Sequence, residues 1–187
     1  MSSIAIVYHS GFGHTKAQAE AVASGAAAVT GAQVHLIPVE EAEAKADLLN
    51  AADAIIFGSP TYMGSVSAKF KEFMEWSSKI WYGRGWANKL AAGFTVSASQ
   101  SGDKLAALQQ LAIYGAQHGM IWVGVDLLPG NNSSKGSVED LNRLGSFLGA
   151  MAQSNADQGP EGVTEADRKT AAHLGQRVAE AAARWVK

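Results

Sequence analysis

Ser10-Gly11-Phe12-Gly13-His14-Thr15 combines two hydroxyls with two glycines. It directly follows the apolar run Ile4-Ala5-Ile6-Val7-Tyr8 and precedes an alanine-rich helical stretch that begins near Lys16. A loop of that kind, between a buried strand and a helix N-terminus, is an anion site. The first N–H groups of the helix lack carbonyl partners, the helix dipole favours negative charge, and Ser and Thr add hydroxyl donors. Three phosphate ligands compete for it. A triphosphate-binding P-loop needs Gly-Lys-Ser/Thr, but here Gly13 is followed by His14, and Lys16 comes after the threonine. A dinucleotide fingerprint needs a third glycine where Lys16 stands and an acidic residue ending the second strand, whereas Glu40 is displaced past Pro38. The third is a monophosphate held by hydroxyls and amides alone, in the pattern Ser-x-x-Gly-x-Thr. Ser10 and Thr15 would equally serve as helix caps with no ligand at all, and His14 could contribute only its backbone N–H.

Two further loops carry polar chemistry. Ser59-Pro60-Thr61-Tyr62-Met63-Gly64 follows the buried run Ala54–Gly58, and Ala98-Ser99-Gln100-Ser101-Gly102 follows Leu90–Ser97. Taken singly, each also reads as an ordinary strand-to-helix turn. His118 stands at the end of a helix that stops at Gly119. It either complements the helix dipole or serves as an acid, base or orienting group, since His titrates near neutrality. Trp81, with Tyr82 and Trp86 nearby, suits a stacking platform, a core position or a subunit contact. No His/Asp/Glu set has metal-ligand spacing, no Ser/His/Asp set is legible, and there is no cysteine.

The elements that must position these residues alternate. Strands are expected at about Ser3–His9, Gln33–Val39 (at an edge, because of Pro38), Ala54–Gly58, Leu90–Ser97 and Met120–Val125. The first helix places Ala19, Val22, Ala23, Ala26 and Val29 on one face and ends at Gly31. A short polar helix spans Glu40–Asn50, and the next helix carries Phe70, Phe73 and Met74 at core spacing. Asp103 is placed as the N-cap of a helix whose Leu105, Leu108 and Ala112 face inward. Residues 126–162 are rich in Gly, Asn, Ser and Gln and read as loop, with a short helix over 142–151. A capping signal at Thr164–Asp167 opens a last helix with Leu174, Val178, Ala181 and Trp185 on one face. A βα unit repeated five times predicts one α/β domain over 1–187, a parallel sheet covered by helices on both faces. All three polar loops follow strands, so they share one edge of that sheet.

Composition narrows the function classes. With 47% hydrophobic and 17% charged residues among 187, the chain can bury a substantial core. A net charge of −2 argues against nucleic acid. No apolar run is long enough to span a bilayer, and the N-terminus enters a strand at once. A cytoplasmic protein is expected.

Ser10-x-x-Gly13-x-Thr15 resembles the FMN-phosphate loop of the flavodoxin-like superfamily. Gly58-Ser-Pro-Thr-Tyr-Met-Gly64, Lys69, Phe70, Phe73, Trp81 with Gly83, and Gln117-His118-Gly119-Met120 resemble the WrbA-type NAD(P)H:quinone oxidoreductases and related NADPH-dependent FMN reductase-like proteins. The likeness covers most of residues 3–125 and, weakly, the final helix. It implies a flavodoxin-like three-layer αβα fold with a five-stranded parallel sheet in the order 2-1-3-4-5. It also implies noncovalent FMN. The phosphate maps to Ser10, Gly11, Phe12, Gly13, His14 and Thr15, and the isoalloxazine ring to Pro60, Thr61, Tyr62 and Met63. The pyrimidine edge and ribityl chain map to Ser97, Ala98, Ser99, Gln100, Ser101 and Gly102. His118 and Trp81 map to the catalytic His and Trp near the open flavin face, and Phe12 to the aromatic residue that meets the nicotinamide. The implied reaction passes a hydride from NADH or NADPH through FMN to a quinone-type acceptor, in a homo-oligomer (dimer or tetramer). A flavodoxin-type electron carrier docking to redox proteins, or a free-flavin reductase, is the alternative. The family's insertion before the third strand and its Pro-Tyr-Gly segment after the fifth are absent. Tyr62 stands where the family usually has Arg.

Overall fold

Side chains along a strand alternate between faces, and in the computed structural model, which describes residues 1–185, that alternation divides the core in two. The elements are β1 (Ser2–Tyr8), α1 (His14–Ala27), β2 (Ala32–Pro38), α2 (Ala46–Ala51), β3 (Ala54–Tyr62), β4 (Ser65–Val66), α3 (Ala68–Trp76), α4 (Ser78–Tyr82), β5 (Leu90–Ser97), α5 (Lys104–Gln117), β6 (Ile121–Trp122), β7 (Ala150–Gln153) and α6 (Glu165–Trp185). Ile4, Ile6, Ile56 and Phe94 pack under α1 and α6, against Val22, Leu174 and Val178. Ala5, Val7, Ile55 and Phe57 face the other way, onto Phe70 and Phe73 of α3 and Leu108 and Leu111 of α5. These are the three layers of a flavodoxin-like fold. Among the described residues no helix is long and apolar enough to cross a membrane.

The sheet runs β2-β1-β3-β5-β6, with every pairing on that path parallel. Pro38 does end an edge strand, since among the described residues β2 pairs with β1 alone. The sheet has seven strands rather than the expected five, for two physical reasons. First, β3 continues past Gly58 to Tyr62 and folds back on β4 in an antiparallel pair, Thr61 opposite Val66. Met63 (φ 50°) and Gly64 (φ 74°) make the turn, as two-residue hairpins with consecutive positive φ require. Second, the fifth position is shared. β6 pairs with Leu90 and Ala91 at the start of β5, and β7 pairs with Phe94–Ser97 at its end. Residues 123–149 leave the sheet between them, so the single strand expected over Met120–Val125 is only Ile121–Trp122.

Local corrections follow from the same packing. Residues 142–151 form no helix, because their last residues join the sheet as β7. Helix α1 ends at Ala27, short of Gly31, and the stretch 40–50 is a 3-10 turn at Val39–Glu41 followed by the short α2. Asp103 precedes α5 in a left-handed conformation and makes no side-chain cap. Leu105 is half exposed, and Ala107, Leu108, Leu111 and Tyr114 form the inward face instead. In α6, Leu174 and Val178 are buried as expected, while Trp185 is half exposed and donates its indole N–H to the Asn88 carbonyl at 3.0 Å.

Helices α1 and α6 touch backbone to backbone. A Cβ on Gly25 would overlap the carbonyl oxygen of Ala172, and one on Gly175 would overlap that of Val22. Neither neighbour is a flexible side chain, so the helices would have to separate. Overpacking costs about 1–3 kcal/mol, and more where the obstacle is backbone. Urea denaturation of Gly175→Ala should show a loss of that size, and a loss below about 1 kcal/mol would contradict the close crossing.

Candidate functional site

The first loop leaves β1 at the point where strand order reverses, with β2 on one side and β3 on the other. Gly13 sits before α1 with φ 88°, a left-handed conformation natural to glycine, and a Cβ there would lie 2.6 Å from the Pro160 ring. Ser10 Oγ accepts from the Lys16 N–H at 3.1 Å, and Ala17 donates to the Gly13 carbonyl at 2.9 Å. Among the described residues, the N–H groups of Phe12, Gly13, His14 and Thr15 find no partner. Gly13 is the N-cap and makes no side-chain cap; Ser10, three residues before it, satisfies one helix amide, and the other donors are left for an anion. Thr15 is buried with its side chain on the cavity wall.

That cavity, of about 230 Å³, is where the three polar loops meet. Phe12, His14 and Thr15 line it from the first loop, Pro60, Thr61 and Tyr62 from the second, and Ser97 and Ala98 from the third. Phe12 and Tyr62 stand edge to face, 6.4 Å apart. The Tyr62 hydroxyl lies so near Gly11 that a Cβ there would come within 2.6 Å of it. Below, Thr61 and Thr95 share a hydrogen bond of 2.8 Å that ties β3 to β5. Met63 is fully exposed at the hairpin tip and does not reach the cavity wall. Ser99, Gln100 and Ser101, exposed, and Gly102, half-buried, continue from Ser97 as a rim outside the cavity wall.

Part of the wall comes from the 126–162 stretch, beyond the strand β7 that it contributes to the sheet. Ala156 lines the cavity beside Val96. His14 Nε2 donates to the Gln158 carbonyl at 2.7 Å, so its ring anchors this segment. Gln153 Nε2 donates to the Ala98 carbonyl at 2.9 Å. Arg143 and Asp167 form a buried two-pronged pair at 2.7 and 2.8 Å, and Asp167 also accepts from the Gln153 N–H. Gly159-Pro160 could have been read as a turn, but no local signal aims it at residue 13.

His118 and Trp81 are not brought into this cavity by a single chain. Helix α5 starts beside the 97–102 loop and runs back along the sheet, so His118 emerges at the opposite end. There the next residue, Gly119, accepts from the Asn88 N–H. His118 is 5% exposed, and its ring lies against Trp86 at 4.5 Å. Ser77 Oγ donates to the Met74 carbonyl and accepts from the Tyr114 hydroxyl at 2.6 Å, so His118 Nε2 is the donor in its 3.0 Å contact with that oxygen. Nδ1 has no partner. Trp81, 44% exposed, shares a separate depression with His118. Among the described residues no group of three His, Asp or Glu could hold a metal ion.

Residues 10–133 match the family described as NADPH-dependent FMN reductase, which is about two-thirds of the chain. The chain belongs to that family, and with it to the FMN-binding, flavodoxin-like oxidoreductases of WrbA type. It is 42% identical over 183 residues to flavodoxin FldP of Pseudomonas aeruginosa, covering 96% of each chain. An NAD(P)H dehydrogenase (quinone) of Archaeoglobus fulgidus is 34% identical over 206 aligned positions, covering 97% of this chain and 98% of that one. The crystal structure of a flavodoxin, WrbA-like protein from Agrobacterium tumefaciens superposes with a TM-score of 0.75 at 40% identity, over 98% and 99% of the two chains.

The residues present fit FMN. Free amides and a hydroxyl at the α1 N-terminus suit its phosphate, Gly11 and Gly13 let Tyr62 and Pro160 close on the loop where a Cβ would collide with them, and Phe12 and Tyr62 give a planar ring aromatic walls.

His118 has a consequence for stability. Burial pushes its pKa down to about 4, and the unfolded chain holds it near 6.5. Between those values the unfolded state binds more protons, so stability falls as pH drops from about 6.5 towards 4. Denaturant titrations at pH 7 and 4.5 should show the wild type losing about 2–3 kcal/mol more than His118→Phe does. Equal losses would contradict the buried neutral imidazole.

Proposed function

We propose that this chain, as one domain, binds FMN noncovalently and passes a hydride from NADH or NADPH to a quinone-type acceptor. The observation that carries the reading is the convergence of three strand-end loops on one cavity beside unpaired helix-terminal amides. The amides of residues 12–15 and the Thr15 hydroxyl hold the phosphate. Pro60, Thr61 and Tyr62 flank the ring, and the rim at 97–102 meets its polar edge. FMN supplies the two-electron chemistry when bound, and the protein supplies position and electrostatics. Phe12, 71% exposed at the mouth, offers the nicotinamide a surface to pack on. The quinone dehydrogenase names of several relatives support the donor and the acceptor class.

The roles that resemblance gives Trp81 and His118 need a second copy of the chain, because one copy keeps them at the far end of the sheet. We therefore propose a homo-oligomer, a dimer or tetramer, in a cytoplasmic setting. His118 is neutral at physiological pH, so in such a site it orients an acceptor rather than protonating one as imidazolium. A second reading, a flavodoxin-type carrier that docks to redox proteins, is favoured by the 42% identity to a protein named as a flavodoxin.

Anaerobic mixing separates the two. The FMN-loaded protein should bleach within seconds with NADH or NADPH and recolour on adding a quinone, while a carrier stays yellow with both nucleotides. Thr15→Val should weaken FMN binding roughly tenfold or more, the scale of one hydrogen bond to a charged group. His118→Gln should alter turnover more than FMN affinity.

A further inference from the structure

Lys104 opens α5, where the helix dipole disfavours a cation, yet it is 1% exposed. Its ammonium donates three hydrogen bonds, to Ser97 Oγ at 2.8 Å and to the carbonyls of Ser99 and Gln100 at 2.9 and 2.7 Å. Those three bonds use all its protons. No carboxylate pairs with it among the described residues, and Asp167, whose charge it feels, is already bonded to Arg143. A buried cation without a counter-charge is costly unless an anion approaches. Burial has lowered its pKa to about 8, which still leaves it mostly charged at neutral pH.

The backbone consequence is directional. Each trans peptide sets its C=O and the following N–H on opposite sides, and no cis peptide is present among the described residues. With the carbonyls of Ser99 and Gln100 turned in towards the ammonium, the N–H groups of Gln100 and Ser101 point the other way, off an exposed loop. Neither donates to any described residue. Gly102 completes the turn at φ 53°, where a Cβ would overlap Ser97 Oγ. The loop thus offers two free amides with a positive charge fixed behind them, and the hydrogen-bonded ammonium polarises those same peptides.

We propose that Lys104 is a positioning residue that makes this loop favour reduced over oxidised flavin. The proposal rests on the reading above, that FMN binds with its pyrimidine edge on residues 97–102. A hydride brings two electrons and one hydrogen nucleus, so the ring system gains one net negative charge, shared by N1 and the C2 oxygen at that edge. No further proton or co-reactant is needed for the balance. Oxidised FMN meets the same amides as neutral acceptors, so Lys104 contributes mainly to the form that carries the charge.

The test compares wild type with Lys104→Met, both loaded with FMN. Fluorescence-quenching titration gives the affinity for oxidised FMN, and anaerobic reductive titration against reference dyes gives the two-electron potential of the bound flavin. The variant should change oxidised-FMN affinity by less than about threefold. It should lose about tenfold in preference for the reduced form, a fall of about 30 mV. An unchanged potential with both forms weakened equally would mean that Lys104 only shapes the loop, and the proposal would fail. Wild type gives an answer even where the variant does not fold: its bound flavin should have a potential above that of free FMN, and a value below it overturns the proposal. Absence of any FMN binding by wild type is a different result, one that removes the cofactor reading itself.

Discussion

Strand β1 pairs in parallel with β2 along one edge and with β3 along the other, and the site depends on that arrangement. Chains leaving neighbouring parallel strands must cross over a face of the sheet before returning. The connection from β1 goes to the α1–α6 face, and the one from β3 goes to the α3–α5 face. The two diverge at the carboxyl edge, and the gap between them is a crevice no side chain needs to fill. Into that crevice open the amides before α1, the aromatic pair Phe12–Tyr62, and the rim following β5. The crevice is open because the topology divides there; its walls are largely apolar, and its free donors come from a helix end that cannot satisfy its own backbone.

The interrupted fifth strand closes the other side. Residues 123–149 leave after Trp122, and the chain re-enters in register with Phe94–Ser97 at Ala150. That register delivers 154–162 to the mouth of the crevice, where Gln158 and Pro160 meet His14 and Gly13. The anchor is the Arg143–Asp167 pair, desolvated but two-pronged and further satisfied by the Gln153 N–H. A buried ion pair helps only when its remaining hydrogen-bonding capacity is used, and here the extra bond joins the re-entering strand to α6.

Much of this is written locally. The βα alternation, the phosphate loop and the two other strand-end loops can be read from apolar runs bounded by Gly, Ser and Pro. Local residues decide them: a continuous apolar strand is covered on both faces, and unpaired helix amides attract anions wherever they occur. What could not be read depends on distant chain. Nothing near Ile121 says that the strand will break, because Gly149 and Ala150 supply the replacement. His14 looks like a ligand until Gln158 takes its ring. Asp103 looks like a cap, but the residue that organises its loop is the next one. A lysine in the first turn of a helix runs against the dipole, and that local misfit was the one available sign of Lys104.

His118 and Lys104 stand at the two ends of the same helix, and burial lowers the pKa of both, to about 4 and about 8, so that at neutral pH one is uncharged and the other mostly charged. His118 has one acceptor, Ser77 Oγ, and an orphaned Nδ1. The cheaper state is neutral, with the imidazole acting as a flat surface against Trp86. Lys104 has three acceptors fixed by a tight loop, enough to keep most of its charge at neutral pH despite the same desolvation. The difference lies in how many oxygens the backbone presents to each group, since burial alone would neutralise both. At one end of α5 the fold has therefore discarded a charge, and at the other it has retained one directly behind the loop that borders the cavity. A retained, unpaired positive charge in that place favours whichever bound state adds a negative one across the loop.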